Sequence, residues 1–424
     1  LAVFLCGLWG LRSAWDYVQA IPTGDIVGLD PIDSGLITEG LEKTKSWHNT
    51  LSWWRGPWVA WIDEGNGQGH GVKFYRPLSS LVWWIEFQAF GRQGLAAFTI
   101  VHALSHLLVL SMALLFFREL FGLRVAALSL GIFALHLAGI LFYLPSPRAA
   151  LVQWKDGPDL WCSMAYLASL WCFLKFTRGG GTGWLSGSVG GFVMAICFKE
   201  MAYTLPLILL LLLWNEGKLS SHWRFAVPFC LVAAAAFGFR WWALEGFGFR
   251  FGSNGSWPSR WFMDCVGGMA GANLSRGDGL PLALSCAATA LVIRLRPHRL
   301  GLPSARAWPL WLMAAFFIYA LTEFAYSTNP GDAFWRLFLF ETDNNSVWRM
   351  MLYTLALLLL LTRFVVRRPR VQMFAYGWVV LTYLPLMTAP ITHHAHYFVG
   401  FGWSIWMAYS LLDVLDIANT INQA

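Results

Sequence analysis

Charge is what this sequence has least of. Asp, Glu, Lys and Arg make up 12% of the 424 residues while hydrophobic residues make up 57%, which leaves too little polar surface to wet a folded soluble domain. Alternating apolar and polar segments about ten residues long are also missing, which excludes an outer-membrane barrel. The α-helix is then the remaining way to satisfy backbone polar groups in lipid. The seven cysteines are odd in number and lack CxxC spacing, and all but Cys265 fall in apolar blocks. They read as small buried hydrophobes, with neither a disulfide framework nor a zinc site. The run Gly179-Gly180-Gly181-Thr182-Gly183 lacks the lysine of a P-loop and reads as a linker. The net charge of +7 follows the membrane pattern described next, so no nucleic-acid partner is expected.

What the sequence has is long apolar blocks, each about the length that crosses a hydrocarbon core roughly 30 Å thick. They predict an all-α polytopic membrane protein with about twelve transmembrane helices. The spans fall near 1–14, 95–117, 125–144, 159–176, 184–198, 201–214, 225–242, 280–293, 307–325, 348–361, 371–390 and 399–415. The first reads as clipped, with an upstream stretch missing. Alternate loops carry Arg118 and Arg124; Lys175 and Arg178; Lys218 and Arg224; then arginine groups at 294–306 and 363–370. The positive-inside rule puts these loops, and both termini, in the cytoplasm. The opposite side receives a long first loop, 16–94, in which 75–90 is rich in Trp and Phe yet carries Arg76, Glu86 and Gln88. That segment is expected to lie along the interface as a helix and to floor an external cavity. The layout is an N-terminal module 1–246, an external loop 247–279 and C-terminal helices 280–424. In a bacterium the location would be the cytoplasmic membrane.

Ionisable residues at span ends are the informative ones, because charge at membrane depth is costly and usually faces a polar cavity. On the external side these are Asp16 after the first span, Arg76 at the start of the interfacial helix, Lys199 and Glu200 between two spans, and Arg240 near the end of the seventh. The bland reading of Lys199-Glu200 is a local ion pair within a turn. His393, His394 and His396 precede the last span and are weak candidates for a divalent metal, set against an interfacial polar loop. His102 and His106 lie one helical turn apart and are expected to make a packed, hydrogen-bonded helix contact.

Trp53-Trp54-Arg55-Gly56, Tyr75-Arg76-Pro77-Leu78, Phe90-Gly91 and His102 to His106, in that order, resemble the front half of integral-membrane glycosyltransferases of the GT-C type. The mannosyltransferase-like group is nearest: it is similar to the O-mannosyltransferases and to bacterial proteins that join such a core to tetratricopeptide repeats. Phe133-Ala134-Leu135-His136, Val152-Gln153-Trp154, Lys199-Glu200 with Leu205-Pro206, and Arg240 extend the likeness over most of 1–246. The resemblance implies inverting transfer of a sugar from a polyprenyl-phosphate donor to a protein or glycan acceptor outside the membrane, with no certain cofactor. Asp16 would be the general base, Arg76, Lys199 and Arg240 would hold the donor phosphate, and Glu200 would orient Lys199.

The pattern also departs from that family. Asp16 is followed by Tyr17 rather than a second acid. Lys155-Asp156-Gly157-Pro158-Asp159 stands where an Arg is usual after the tryptophan, Leu137 stands where a Pro follows the histidine, and His394-Ala395-His396 replaces a Glu-Arg pair. No tetratricopeptide repeat is found within these 424 residues. Two functions therefore stand side by side: a lipid-dependent glycosyltransferase, and a non-catalytic subunit that uses the same bundle inside a larger membrane assembly.

Overall fold

The computed structural model describes residues 31–59, 62–63, 69–70, 73–91, 95–137, 157–246, 369–383 and most of 397–412. The expected spans at 1–14, 280–293, 307–325 and 348–361, like the external loop 247–279, lie outside the described residues.

Helix dominates, and its order follows the apolar blocks. After α1 (Pro31–Lys43) and a 3-10 segment (Trp47–Trp54) comes a minimal hairpin, β1 (Ile62–Asp63) with β2 (Gly69–His70). Then follow α2 (Pro77–Phe90), α3 (Leu95–Phe121), α4 (Leu123–Leu137), α5 (Gly157–Thr177) and α6 (Thr182–Phe198). A 3-10 turn (Glu200–Thr204) leads into α7 (Leu205–Asn215), and α8 (Val227–Leu244) and α9 (Pro369–Tyr383) complete the labelled elements. Further helical backbone covers most of 397–409. Pro77, Pro206 and Pro228 each sit in the first turn of their helices, where a missing N–H costs nothing. Helix α7 stops at Gly217, whose φ of 71° lets its own N–H reach the Trp214 carbonyl at 3.1 Å and that of Lys218 reach Leu213 at 2.8 Å.

Three helical stretches are long and apolar enough to cross a membrane: Ile100–Phe121, Gly157–Thr177 and Leu219–Leu244. The last begins earlier than the sequence blocks suggest, because Leu219–His222 and the 3-10 turn Trp223–Ala226 run directly into α8. The block expected at 201–214 likewise opens as the 3-10 turn before becoming α7. Helix α5 is the axis of the bundle. It packs against α3 on one side and α6 on the other and is buried nearly all round, as a helix without a polar stripe must be.

Helix α5 also measures the slab. Its 21 residues rise about 31 Å at 1.5 Å each, close to the roughly 30 Å of a hydrocarbon core. Asp159 stands at its start and Lys175 at its end, with no Asp, Glu, Lys or Arg between them. Helix α6 returns beside it with none at all. At the Lys175 end a second charged layer closes the bundle. Lys175 and Arg178 reach Glu119 at 2.8 and 3.3 Å, Arg178 reaches Glu216 at 3.1 Å, and Lys218 donates to the Thr177 carbonyl at 2.7 Å.

Helix α2 fulfils the expectation of a helix within 75–90. It buries one stripe, Pro77, Ser79, Ser80, Trp83 and Glu86, and exposes Ile85 and Phe90. Its 14 residues reach only about 21 Å, too short to cross. Ser79 donates to the Phe198 carbonyl at 2.8 Å, Ser80 accepts from the Val59 N–H at 3.1 Å, and Trp84 donates to the Thr44 carbonyl at 2.9 Å. The first loop is therefore packed structure, and its Ile37, Leu41, Trp53 and Trp58 belong to the same core as the helices. So do Phe374, Trp378 and Phe401: Phe133 stacks on Phe401 with centroids 4.2 Å apart. The described C-terminal helices thus share the N-terminal core.

The α5–α6 seam is held by small residues. Ser169 and Ser188 each donate to the other's carbonyl at 2.7 Å, and a Cβ on Gly191 would stand 3.1 Å from the Ala165 carbonyl oxygen and 3.2 Å from Ser169. Neighbouring Gly190 has nothing within 4 Å. Gly191→Leu should therefore cost about 1–3 kcal/mol by wedging the seam, lowering the thermal midpoint in detergent, while Gly190→Leu leaves it nearly unchanged.

Candidate functional site

Five charged side chains from distant parts of the sequence gather at the Asp159 end of the bundle. Arg76 immediately precedes α2, Asp159 occupies the first turn of α5, Lys199 and Glu200 lie in the turn after α6, and Arg240 sits in the last turns of α8. Arg76, Asp159, Lys199 and Arg240 are all buried. On α8 the neighbours Phe239, Trp241 and Trp242 are exposed, so Arg240 turns inward from an otherwise apolar, outward-facing helix end.

The pairing has a definite order. Arg76 donates from Nε to both Glu200 oxygens at 3.1 Å and from Nη2 to Oε2 at 2.8 Å, a fork contact that fixes guanidinium and carboxylate in one plane. Arg240 Nη1 approaches the other side of Glu200 at 3.7 Å. Arg76 also lies over the rings of Phe74 and Trp58, 4.0 and 4.9 Å from their centroids, where the π faces favour a cation. Lys199 Nζ sits 2.6 Å from each Asp159 oxygen.

Burial by itself would raise the Glu200 carboxyl, but the charges of Arg76 and Arg240 and the Arg76 hydrogen bonds more than reverse this and pull it down to about 2. Nearby, burial pushes the Tyr75 phenol up to about 12, so it stays protonated and donates to the Trp54 carbonyl at 3.2 Å. The cluster combines three cations with two carboxylates, an excess of positive charge in a low-dielectric layer that favours an anionic group.

Of the residues nominated from the sequence, Arg76, Lys199 and Arg240 come together, and Glu200 lies among them. Its role is corrected: Glu200 holds the two arginines, and Lys199 is held by Asp159. The reason is directional, since at the extended Lys199 backbone (φ −158°, ψ 150°) adjacent side chains point to opposite sides. The local ion pair within the turn is excluded by the same geometry. Asp16, His393, His394 and His396 lie outside the described residues. Among the described residues no group of three or more His, Cys, Asp or Glu could hold a metal ion.

Sequence reasoning missed Asp159, although an acid opening an apolar helix was visible as the first residue of the expected span. It also missed the partners of the histidine pair. His106 Nδ1 and the Tyr397 hydroxyl share a hydrogen bond at 2.7 Å, which meets the expectation of a packed helix contact. His102 faces a different way, 4.0 Å from Glu86 on α2 and edge-on to Trp161.

Glu200→Gln leaves two buried guanidiniums without their carboxylate and is expected to cost about 3–5 kcal/mol, read as a lowered thermal midpoint in detergent. Asp159→Asn and Lys199→Met should each be harmful alone, and the double variant should be milder than their sum. The sign in pH follows from a depressed carboxyl: the Glu200 contribution is fully present above its ordinary value of 4.5 and is lost as pH falls towards about 2, which an acid titration of helix packing by near-UV circular dichroism would follow. No family model, curated protein or solved structure matches the chain.

Proposed function

We propose that this chain is a multi-pass membrane transferase of the GT-C type, with about twelve spans and both termini cytoplasmic, that moves a sugar from a polyprenyl-phosphate donor to an acceptor hydroxyl on the external side. The observation that carries the reading is the meeting of Arg76, Lys199 and Arg240 in one buried layer, each from a position the family resemblance nominates for the donor phosphate. Arg76 spends its Nε and Nη2 on Glu200 and keeps the Nη1 edge turned away from that contact. A phosphate oxygen is a chemically suitable partner for it.

In this reaction the acceptor oxygen attacks the anomeric carbon from the face opposite the phosphate. The bond from that carbon to the phosphate oxygen breaks, the configuration inverts, and the acceptor proton passes to the Asp16 carboxylate. The cations stabilise the departing lipid phosphate as its charge develops. Asp159 and Glu200 keep the cations in place without touching the sugar.

One observation favours a second reading, a non-catalytic subunit of a larger assembly: Lys199 already has Asp159, and Arg76 and Arg240 already share Glu200, which suits a structural staple. The experiment that separates the two is purification with bound lipid followed by transfer assays in liposomes loaded with a polyprenyl-monophosphate sugar. The transferase reading expects a co-purifying polyprenyl phosphate and a fall of roughly 100-fold or more in transfer for Asp16→Asn. Undiminished transfer by that variant, or a stoichiometric protein partner with no lipid donor, would remove it.

A further inference from the structure

The second charged layer, at the Lys175 end, has two populations of basic residues. Lys175 and Arg178 are neutralised by Glu119 and Glu216 inside the network. Arg118 and Arg124, on either side of the Gly122 turn between α3 and α4, are exposed, as are Arg224 in the 3-10 turn before α8 and Arg370 at the start of α9. None of these four takes part in that network. They belong to one end of the bundle: Phe225 packs on Phe176 with centroids 4.8 Å apart, and the Arg370 guanidinium lies beside Gly217.

Each arginine has exposed apolar side chains near it along the chain, Met373 beside Arg370 being 48% exposed. Leu115 and Leu123 are 40% and 61% exposed beside Arg118 and Arg124, and Trp223, Val227 and Leu231 are 49%, 41% and 65% exposed around Arg224. Guanidiniums above an aliphatic face with an indole at the boundary match a molecule that carries a phosphate on top of acyl chains. A soluble anion would leave the apolar half of this surface uncovered.

We infer that Arg118, Arg124, Arg224 and Arg370 form an annular site for the headgroups of anionic phospholipids in the leaflet at this end of the bundle. The guanidinium forks take the phosphate oxygens, and the acyl chains run along the exposed faces of α3 and α8. Because the surface is at the opposite end of α5 from Asp159, it is independent of any donor lipid bound there.

The test is native mass spectrometry of the full chain released from nanodiscs of equimolar phosphatidylglycerol and phosphatidylcholine. The wild-type protein should retain phosphatidylglycerol in roughly tenfold excess, and the excess should shrink on raising the salt to 1 M. R118Q/R124Q and R224Q/R370Q should each lose part of it, and the quadruple variant all of it. Equal retention of the two lipids by the wild type would overturn the inference, as would undiminished excess in the quadruple variant. Should the quadruple variant not fold, the two double variants and the wild-type salt series decide the matter. Competition by glycerophosphoglycerol, which has the headgroup but no acyl chains, should fail at millimolar concentration; efficient competition would assign the arginines to a soluble phosphate and likewise overturn the lipid site.

Discussion

The carboxylate of Glu200, held between Arg76 and Arg240, is the constraint on which the charged layer at the Asp159 end depends. A buried charge is tolerated only when its partner is present with good geometry, so each member of this group dictates where its own element can lie. Arg76 is fixed at the start of α2, and Arg240 commits the last turns of α8 to face inward although Phe239, Trp241 and Trp242 beside it remain exposed. Lys199 and Asp159 tie the turn after α6 to the first turn of α5. The result is a polar plate at one end of an apolar bundle.

Between the two charged layers the bundle is held by other means. Lipid tails are as apolar as the helix surfaces, so packing and hydrogen bonds must do what the hydrophobic effect does in water. The reciprocal Ser169 and Ser188 bonds and the close approach at Gly191 provide this along α5 and α6. Aromatic contacts, such as the stack of Phe133 on Phe401 and the edge-on contact of Tyr166 with Phe398, do the same between the N-terminal helices and the C-terminal segment. The buried His106 and Tyr397 pair adds a polar contact on that seam, where an unpaired imidazole would be costly.

Much of the helix pattern was legible from composition, because an apolar block of membrane length has few alternative structures. The limits of α5 and α6 differ from the expected spans by only a residue or two, and α2 was visible from a Trp-rich segment interrupted by Arg76 and Glu86. Arg76, Lys199 and Arg240 stood out in the sequence as ionisable residues at the ends of apolar blocks, and the structure brings all three to the Asp159 end of the bundle. Partner choice was not legible. Adjacent Lys199 and Glu200 invite a mutual pair, and only the extended backbone between them shows that they diverge. Asp159 was hidden for the same reason: its partner is 40 residues away, a separation about which spacing rules for one helix are silent.

The uninterrupted run of α5 has a consequence for how this sequence can change. Asp159 must meet Lys199 at one end while Lys175 meets Glu119 at the other, so both the height and the angular phase of the helix are fixed. A single residue inserted between them would lift the far end by about 1.5 Å and rotate it by about 100°, carrying Lys175 off its partner. Replacement of one apolar side chain by another keeps that phase. Away from the Ala165 and Ser169 seam, this stretch of chain is therefore bound more tightly in length than in composition.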